Sequence, residues 1–298
     1  MVESILYKKL ANNAVNCRTC SHYCVIAAGK RGICGVRKNI DGKLYLLTYA
    51  RAIAANIDPI EKKPLYHFLS GSITFSIATV GCNFRCGNCQ NWNISQLPKG
   101  DKATRALIEK TGEDLPPEEV VRLAEEYNCP SISYTYTEPT IFLEYALATM
   151  KLAKKAGLKN VWVSNGFMSP ETLKLVMPYL DAINVDLKSF DEKFYRENCG
   201  ARLAPVLENC KTLVRSNVWL EVTTLIIPTL SDDEKMLKKI AAFIKNELGE
   251  LVPWHVSAFS GAISWKLQDL SDTPLAKVRV AAEIGRKAGL KYVYTGNI

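Results

Sequence analysis

The chain has 298 residues, 48% of them hydrophobic, and a formal net charge of +8 from 38 basic and 30 acidic side chains. This composition supports a large core and excludes a disordered protein, while the basic residues are scattered in pairs such as Lys62-Lys63, Lys154-Lys155 and Lys238-Lys239, so no block marks a nucleic-acid surface. No run approaches the roughly 18 apolar residues of a membrane span, and Met1 to Leu10 lacks the apolar segment of a signal peptide, so we expect a cytoplasmic protein with neither a membrane nor a nucleic-acid partner.

Ten cysteines in a reducing compartment argue for metal thiolates and against disulfides. Seven of them fall in two clusters. The first is Cys17, Cys20, Cys24 and Cys34, spaced C-x2-C-x3-C-x9-C with Gly29, Gly32 and Gly35 nearby. Cysteines two to four residues apart can converge on one centre, so this reads as a metal knuckle holding zinc or a second iron-sulfur cluster, against the alternative of unmetallated thiols. From Lys43 to Tyr49 apolar and polar residues alternate, and Asp58-Pro59 and Lys63-Pro64 follow, so residues 37–70 read as a hairpin and a linker. Residues 1–70 therefore form a Cys-rich extension and residues 71–298 the main domain.

From Ser72 onward the chain repeats strand and helix. A strand over 72–80 runs into Gly81-Cys82-Asn83-Phe84-Arg85-Cys86-Gly87-Asn88-Cys89, with cysteines at C-x3-C-x2-C spacing. Three thiolates leave a metal site unfinished: a [4Fe-4S] cube held by three cysteines keeps one iron free, whereas a zinc site would need a fourth ligand from elsewhere. A polar stretch over 95–114 precedes a helix opened by Pro116-Pro117-Glu118-Glu119. Strands follow over 131–136, ending at Thr137-Glu138-Pro139, over 160–163, ending at Ser164-Asn165-Gly166, and over 182–185, ending at Asp186-Leu187-Lys188. Two more lie over 218–225 and 254–258, and Ser169-Pro170 and Thr273-Pro274 open helices.

Six strands alternating with helices predict an α/β fold, a partial (β/α)6 TIM-like barrel with the small Cys-rich N-terminal extension. Cys82, Glu138, Asn165, Asp186 and His255 are each expected at or just past a strand end, the face on which parallel barrels build their sites. Cys129, Cys199 and Cys210 stand alone and read as packed thiols.

These motifs resemble the radical S-adenosylmethionine (SAM) enzymes, within them the pyruvate formate-lyase activating enzyme group, and most closely the AmmeMemoRadiSam radical SAM branch. The resemblance rests on the C-x3-C-x2-C loop, the N-terminal cysteines with Gly32-Ile33-Cys34-Gly35-Val36-Arg37, the stretch Asp58 to His67, and Thr137-Glu138-Pro139-Thr140. It implies that Cys82, Cys86 and Cys89 hold a [4Fe-4S] cluster whose free iron binds SAM, giving a 5'-deoxyadenosyl radical that abstracts hydrogen. It further implies that Tyr136, Thr137 and Glu138 hold the methionine ammonium, that Ser164 and Asn165 lie on the ribose side, that Asp186 and Lys188 reach the carboxylate region, and that His255 lies near the adenosyl group. An electron donor such as flavodoxin or ferredoxin and a glycyl radical enzyme as protein substrate are implied partners. Asn88 stands where the family usually has an aromatic bordering the adenine, a contact left to Phe84 or Trp92, and Val163 stands where the activases have a cation-binding aspartate. The competing readings are a radical SAM enzyme with another substrate, a non-catalytic metal scaffold, and a zinc-stabilised hydrolase, the last disfavoured because His22, His67 and His255 show no zincin spacing.

Overall fold

A computed structural model describes residues 1–298. Eight strands make the main sheet: β1 Ala54–Pro59, β2 Ile73–Ala78, β3 Ser131–Tyr134, β4 Lys159–Ser164, β5 Ala182–Asp186, β6 Trp219–Ile226, β7 Trp254–Ala258 and β8 Val293–Gly296. They lie side by side in chain order, β2 to β8 all parallel and β1 antiparallel on β2. Helices α1 Pro117–Glu126, α2 Leu143–Lys155, α3 Pro170–Val176, α4 Ala204–Val214, α5 Glu234–Phe243 and α6 Leu275–Lys287 make the crossovers. This is the expected partial TIM-like barrel, with two additions: β8 is a seventh parallel strand, and Ala54–Pro59, expected as linker, is the antiparallel edge.

The elements form for local reasons. β3 is buried at every position, as a strand covered on both faces must be. Ser169 Oγ accepts the Thr172 N–H at 3.1 Å with Pro170 behind it, and Asp233 accepts the Met236 N–H at 2.9 Å, so α3 and α5 start where their caps are. The polar stretch before α1 carries a short helix, Lys102–Leu107, and a two-residue strand, Glu113–Asp114, paired with Arg51–Ala52.

One core of 66 buried residues runs through the molecule and includes Cys34, Val36, Leu46 and Ala52, so it continues across residue 70. The hairpin of Arg37–Ile40 and Lys43–Leu46 forms as expected. Arg37 is nearly fully buried, and its guanidinium donates to both carboxylate oxygens of Glu144 on α2, at 3.0 and 2.6 Å. Residues 60–68 close the N-terminal end of the barrel: Ile60 and Leu65 pack on Val161 and Ala182, and the Tyr66 and His67 amides donate to Glu221. No helix is long and apolar enough to cross a membrane.

Candidate active site at the strand ends

The three-cysteine loop leaves β2 through Gly81, whose φ of +105° suits glycine; a Cβ there would lie 2.8 Å from Val36 and 3.1 Å from the Cys34 carbonyl oxygen. The N-terminal extension thus packs against the very start of the loop. The Phe84 N–H donates to Cys82 Sγ at 3.3 Å, and Cys89 Sγ lies 3.3 Å from Ser95 Oγ. Burial pushes the Cys82 and Cys89 thiols up, and the neighbouring Cys199 thiol and then burial do the same to Cys86. Lys99 pulls Cys82 back down, and Lys188 does the same for Cys86 and Cys89. Both cations therefore favour the thiolates that iron requires.

No three His, Cys, Asp or Glu side chains stand close enough to grip a single metal ion. Three neighbouring soft ligands flanked by two cations fit the corners of an anionic iron-sulfur cluster. The Asn83 Nδ2 group, buried without an acceptor inside the same loop, is a further donor available to such an anion.

The ends of β3 and β4 meet beside the loop. Glu138 is 1% exposed, and four donors surround its carboxylate. Oε1 accepts from the Thr140 N–H at 3.1 Å, the Thr140 hydroxyl at 2.6 Å and the Ser164 hydroxyl at 2.8 Å, and Oε2 accepts the Asn165 N–H at 2.8 Å. Glu138 is thereby a clamp between two strand ends. Burial pushes this carboxyl up, against the pull of those donors. Asn165 extends the network, since its Nδ2 donates to Asn83 Oδ1 at 2.7 Å. The Thr137 hydroxyl donates to the Thr79 carbonyl at 2.8 Å, tying the end of β2 to the end of β3.

Tyr136 takes the left-handed region, φ +59°, and turns its side chain away from the loop, its hydroxyl donating to Asp58. Only its carbonyl faces the loop, accepting from Asn91 Nδ2 at 2.8 Å. At the end of β5, Lys188 Nζ donates to Asp186 at 2.9 Å. Burial opposes the charge on Lys188, but Asp186 and the thiols of Cys86 and Cys199 outweigh it and push its pKa well up. Asn88 accepts from Asn198 Nδ2 at 2.8 Å. Phe84 is buried edge-on against Phe167 and Tyr195, with ring centroids 5.3 and 6.2 Å away, while Trp92 is exposed.

His255 does not join this face. It is the second residue of β7, not its end, and its Nε2 lies 2.6 Å from Glu221 Oε2. Its ring meets Tyr66 edge-on at 4.7 Å, within the segment that closes the opposite end of the barrel, so the expected place near the adenosyl group is corrected.

Sequence reasoning missed three residues. Cys199, read as an isolated thiol, is a neighbour that raises the Cys86 thiol's pKa, and the segment that carries it pairs with the loop through Arg85 N–H to Cys199 O at 2.8 Å. Lys99 donates to the Phe84 carbonyl at 2.6 Å. His22 Nε2 lies 2.9 Å from the Asn83 carbonyl oxygen. Only Lys99, ten residues past Cys89, left a local trace in sequence.

A partial parallel barrel with three thiols in the loop after its first parallel strand defines a class. The radical SAM superfamily profile matches residues 76–241, more than half of the chain, and the chain belongs to that superfamily. An uncharacterised protein of Methanocaldococcus jannaschii is 43% identical over 298 residues, covering 100% of this chain and 86% of its own length. The pyruvate formate-lyase-activating enzyme of Clostridium pasteurianum is 24% identical over 200 residues, covering 64% of this chain and 80% of its own. Among solved structures, a domain of the pyruvate-formate lyase-activating enzyme from Bacteroides vulgatus superposes with a TM-score of 0.50 at 17% identity, covering 56% of this chain and 99% of that one. Streptococcus suis SuiB bound to S-adenosylmethionine gives 0.54 at 14% identity, covering 72% and 48%.

Proposed function

We propose that this radical SAM enzyme acts as an activating enzyme, abstracting hydrogen from a glycine of a protein substrate in a reducing cytoplasm, with an electron from flavodoxin or ferredoxin. The observation that carries the reading is the gathering of Cys82, Cys86 and Cys89 at the strand ends beside the Glu138–Ser164–Asn165 network and the Asp186–Lys188 pair. The likeness to pyruvate formate-lyase-activating enzymes supports the substrate class.

When bound, the [4Fe-4S] cluster and SAM supply a reductively generated carbon radical able to remove a hydrogen atom. The chain's own work is to hold and orient. Cys82, Cys86 and Cys89 provide three thiolates and Lys99 balances their charge. Lys188 offers a fixed cation to a carboxylate, with Asp186 keeping it protonated. Glu138 fixes the strand ends so that Asn165 and the carbonyls of residues 136 and 137 present acceptors to an ammonium and donors to a ribose. Enclosure within the barrel mouth strengthens these contacts and shields a radical from solvent.

The test is deuterium transfer. A glycine-deuterated protein substrate incubated with the reduced enzyme and SAM should yield deuterated 5'-deoxyadenosine. Label arriving from a small molecule instead would overturn the activase assignment while leaving the family chemistry intact.

A further inference from the structure

Between β5 and α4 the chain makes one wide π-helical turn, Tyr195–Cys199, which carries Asn198. Such turns are rare and recur at functional sites. This one reaches two parts of the site at once.

On one side it grips the residues that lie between Cys86 and Cys89. Asn198 Oδ1 accepts the Gly87 N–H at 3.1 Å, the Asn198 carbonyl shares that N–H at 3.2 Å, and Nδ2 donates to Asn88 Oδ1 at 2.8 Å. The Arg85 N–H donates to the Cys199 carbonyl at 2.8 Å, so Cys86 is flanked before and after by bonds to residues 198 and 199. The fit is close, since a Cβ on Gly87 would lie 2.8 Å from Asn198 Oδ1. From the opposite direction the Lys266 N–H donates to the Gly87 carbonyl at 2.8 Å, so both polar groups of Gly87 are held by distant segments.

On its other side the same turn holds the end of β5. The Lys188 N–H donates to the Tyr195 hydroxyl at 3.1 Å, and Tyr195 is fully buried, edge-on to Phe84 of the cysteine loop. The Gly200 and Ala201 N–H groups close the turn on the Tyr195 carbonyl, the latter at 2.9 Å. Lys188 and Cys86 each favour the other's charged form, which makes them neighbours across this bracket. One short, hydrogen-bonded piece of chain thus spans from a loop cysteine to the cation at the end of β5. The residue type suits the place: an amide both donates and accepts in one plane, whereas aspartate only accepts and leucine does neither.

We propose that Asn198 is a positioning residue that registers the cysteine loop against Lys188, so that the Cys86–Cys89 turn and this cation engage one SAM molecule together. Asn198 acts through Gly87 and Asn88, not by contact with SAM. The inference rests on the place given above to Lys188 as the cation for the SAM carboxylate, and it is independent of which molecule donates hydrogen.

The experiment is a double-mutant cycle on SAM affinity, measured by calorimetry on the full chain, reconstituted anaerobically and left unreduced so that no SAM is consumed. Asn198→Ala should keep the parent's iron content. It should weaken SAM binding about 10-fold in the parent but less than about 2-fold in a Lys188→Met background, where the registration has nothing left to serve. Gly87→Ala presses a methyl group onto Asn198 Oδ1 without removing that side chain, and should give the same pattern by a second route. Equal losses in both backgrounds, or undiminished affinity in the parent, would mark a merely structural asparagine and overturn the proposal. Loss of iron from Asn198→Ala would overturn it as well, by making the residue one of cluster assembly. SAM bound by Lys188→Met as tightly as by the parent would instead strike the placement of Lys188 itself, so the two failures read differently.

Discussion

Glu138 shows how much a residue's type announces and how little it says of its duty. Its position after a strand was legible, but the four donors that fold around it come from Thr140, Ser164 and Asn165, and only the folded chain brings them together. Glu138→Gln would turn an amide NH2 toward at least one of those donors, so we expect a loss of about 1–3 kcal/mol in denaturant unfolding together with weaker SAM binding by calorimetry. Unchanged stability would contradict the clamp. His255 was misplaced for a related reason. A strand's limits can be read from its apolar run, but which end a histidine serves depends on the segment packed below it, here Tyr66 and Glu221. Cys199 had no sequence partner at all, since 112 residues separate it from Gly87, the neighbour of Cys86. Because its thiol is a neighbour of Cys86, Cys199→Ala should leave the loop cluster assembled but shift its reduction potential, read by electrochemical titration; loss of the cluster would instead make Cys199 a ligand.

At the scale of elements, the helix start at Ser169-Pro170 was legible because a cap acts within a few residues. The edge strand β1 was not, because Asp58 and Pro59 are turn formers in isolation. Here Lys63 donates to Asp58 at 2.7 Å, and Tyr136 donates to it as well, which pins β1 to the loop after β3. Burial opposes the charge on Asp58, but the Lys63 and Tyr136 hydrogen bonds outweigh it and hold its carboxyl down at about 2. Its folded value thus lies below its unfolded one. The stabilisation is complete above pH 4 and is lost as pH falls toward 2, an effect of about 2 kcal/mol. Acid unfolding followed by circular dichroism should therefore be flatter between pH 4 and 2 in Asp58→Asn than in the parent chain, and an unaltered slope would refute the assignment. The seventh parallel strand, Val293–Gly296, was not read from the sequence.

Across the whole molecule, the parallel barrel was legible because strand and helix alternate over more than 200 residues. The way the extension locks onto the barrel was not, because it depends on contacts between distant segments. Arg37 and Glu144, 107 residues apart, form the buried pair that joins them. Glu144→Ala leaves that guanidinium unpaired and should cost about 3–5 kcal/mol, measured by chemical denaturation. The central claim is that the strand-end thiols make a catalytic centre for SAM. It is tested most directly by measuring 5'-deoxyadenosine from SAM under anaerobic reduction, with the parent chain beside Cys86→Ala. The parent should produce it, and Cys86→Ala should produce none while keeping the barrel's circular dichroism; undiminished cleavage in the variant would contradict the account.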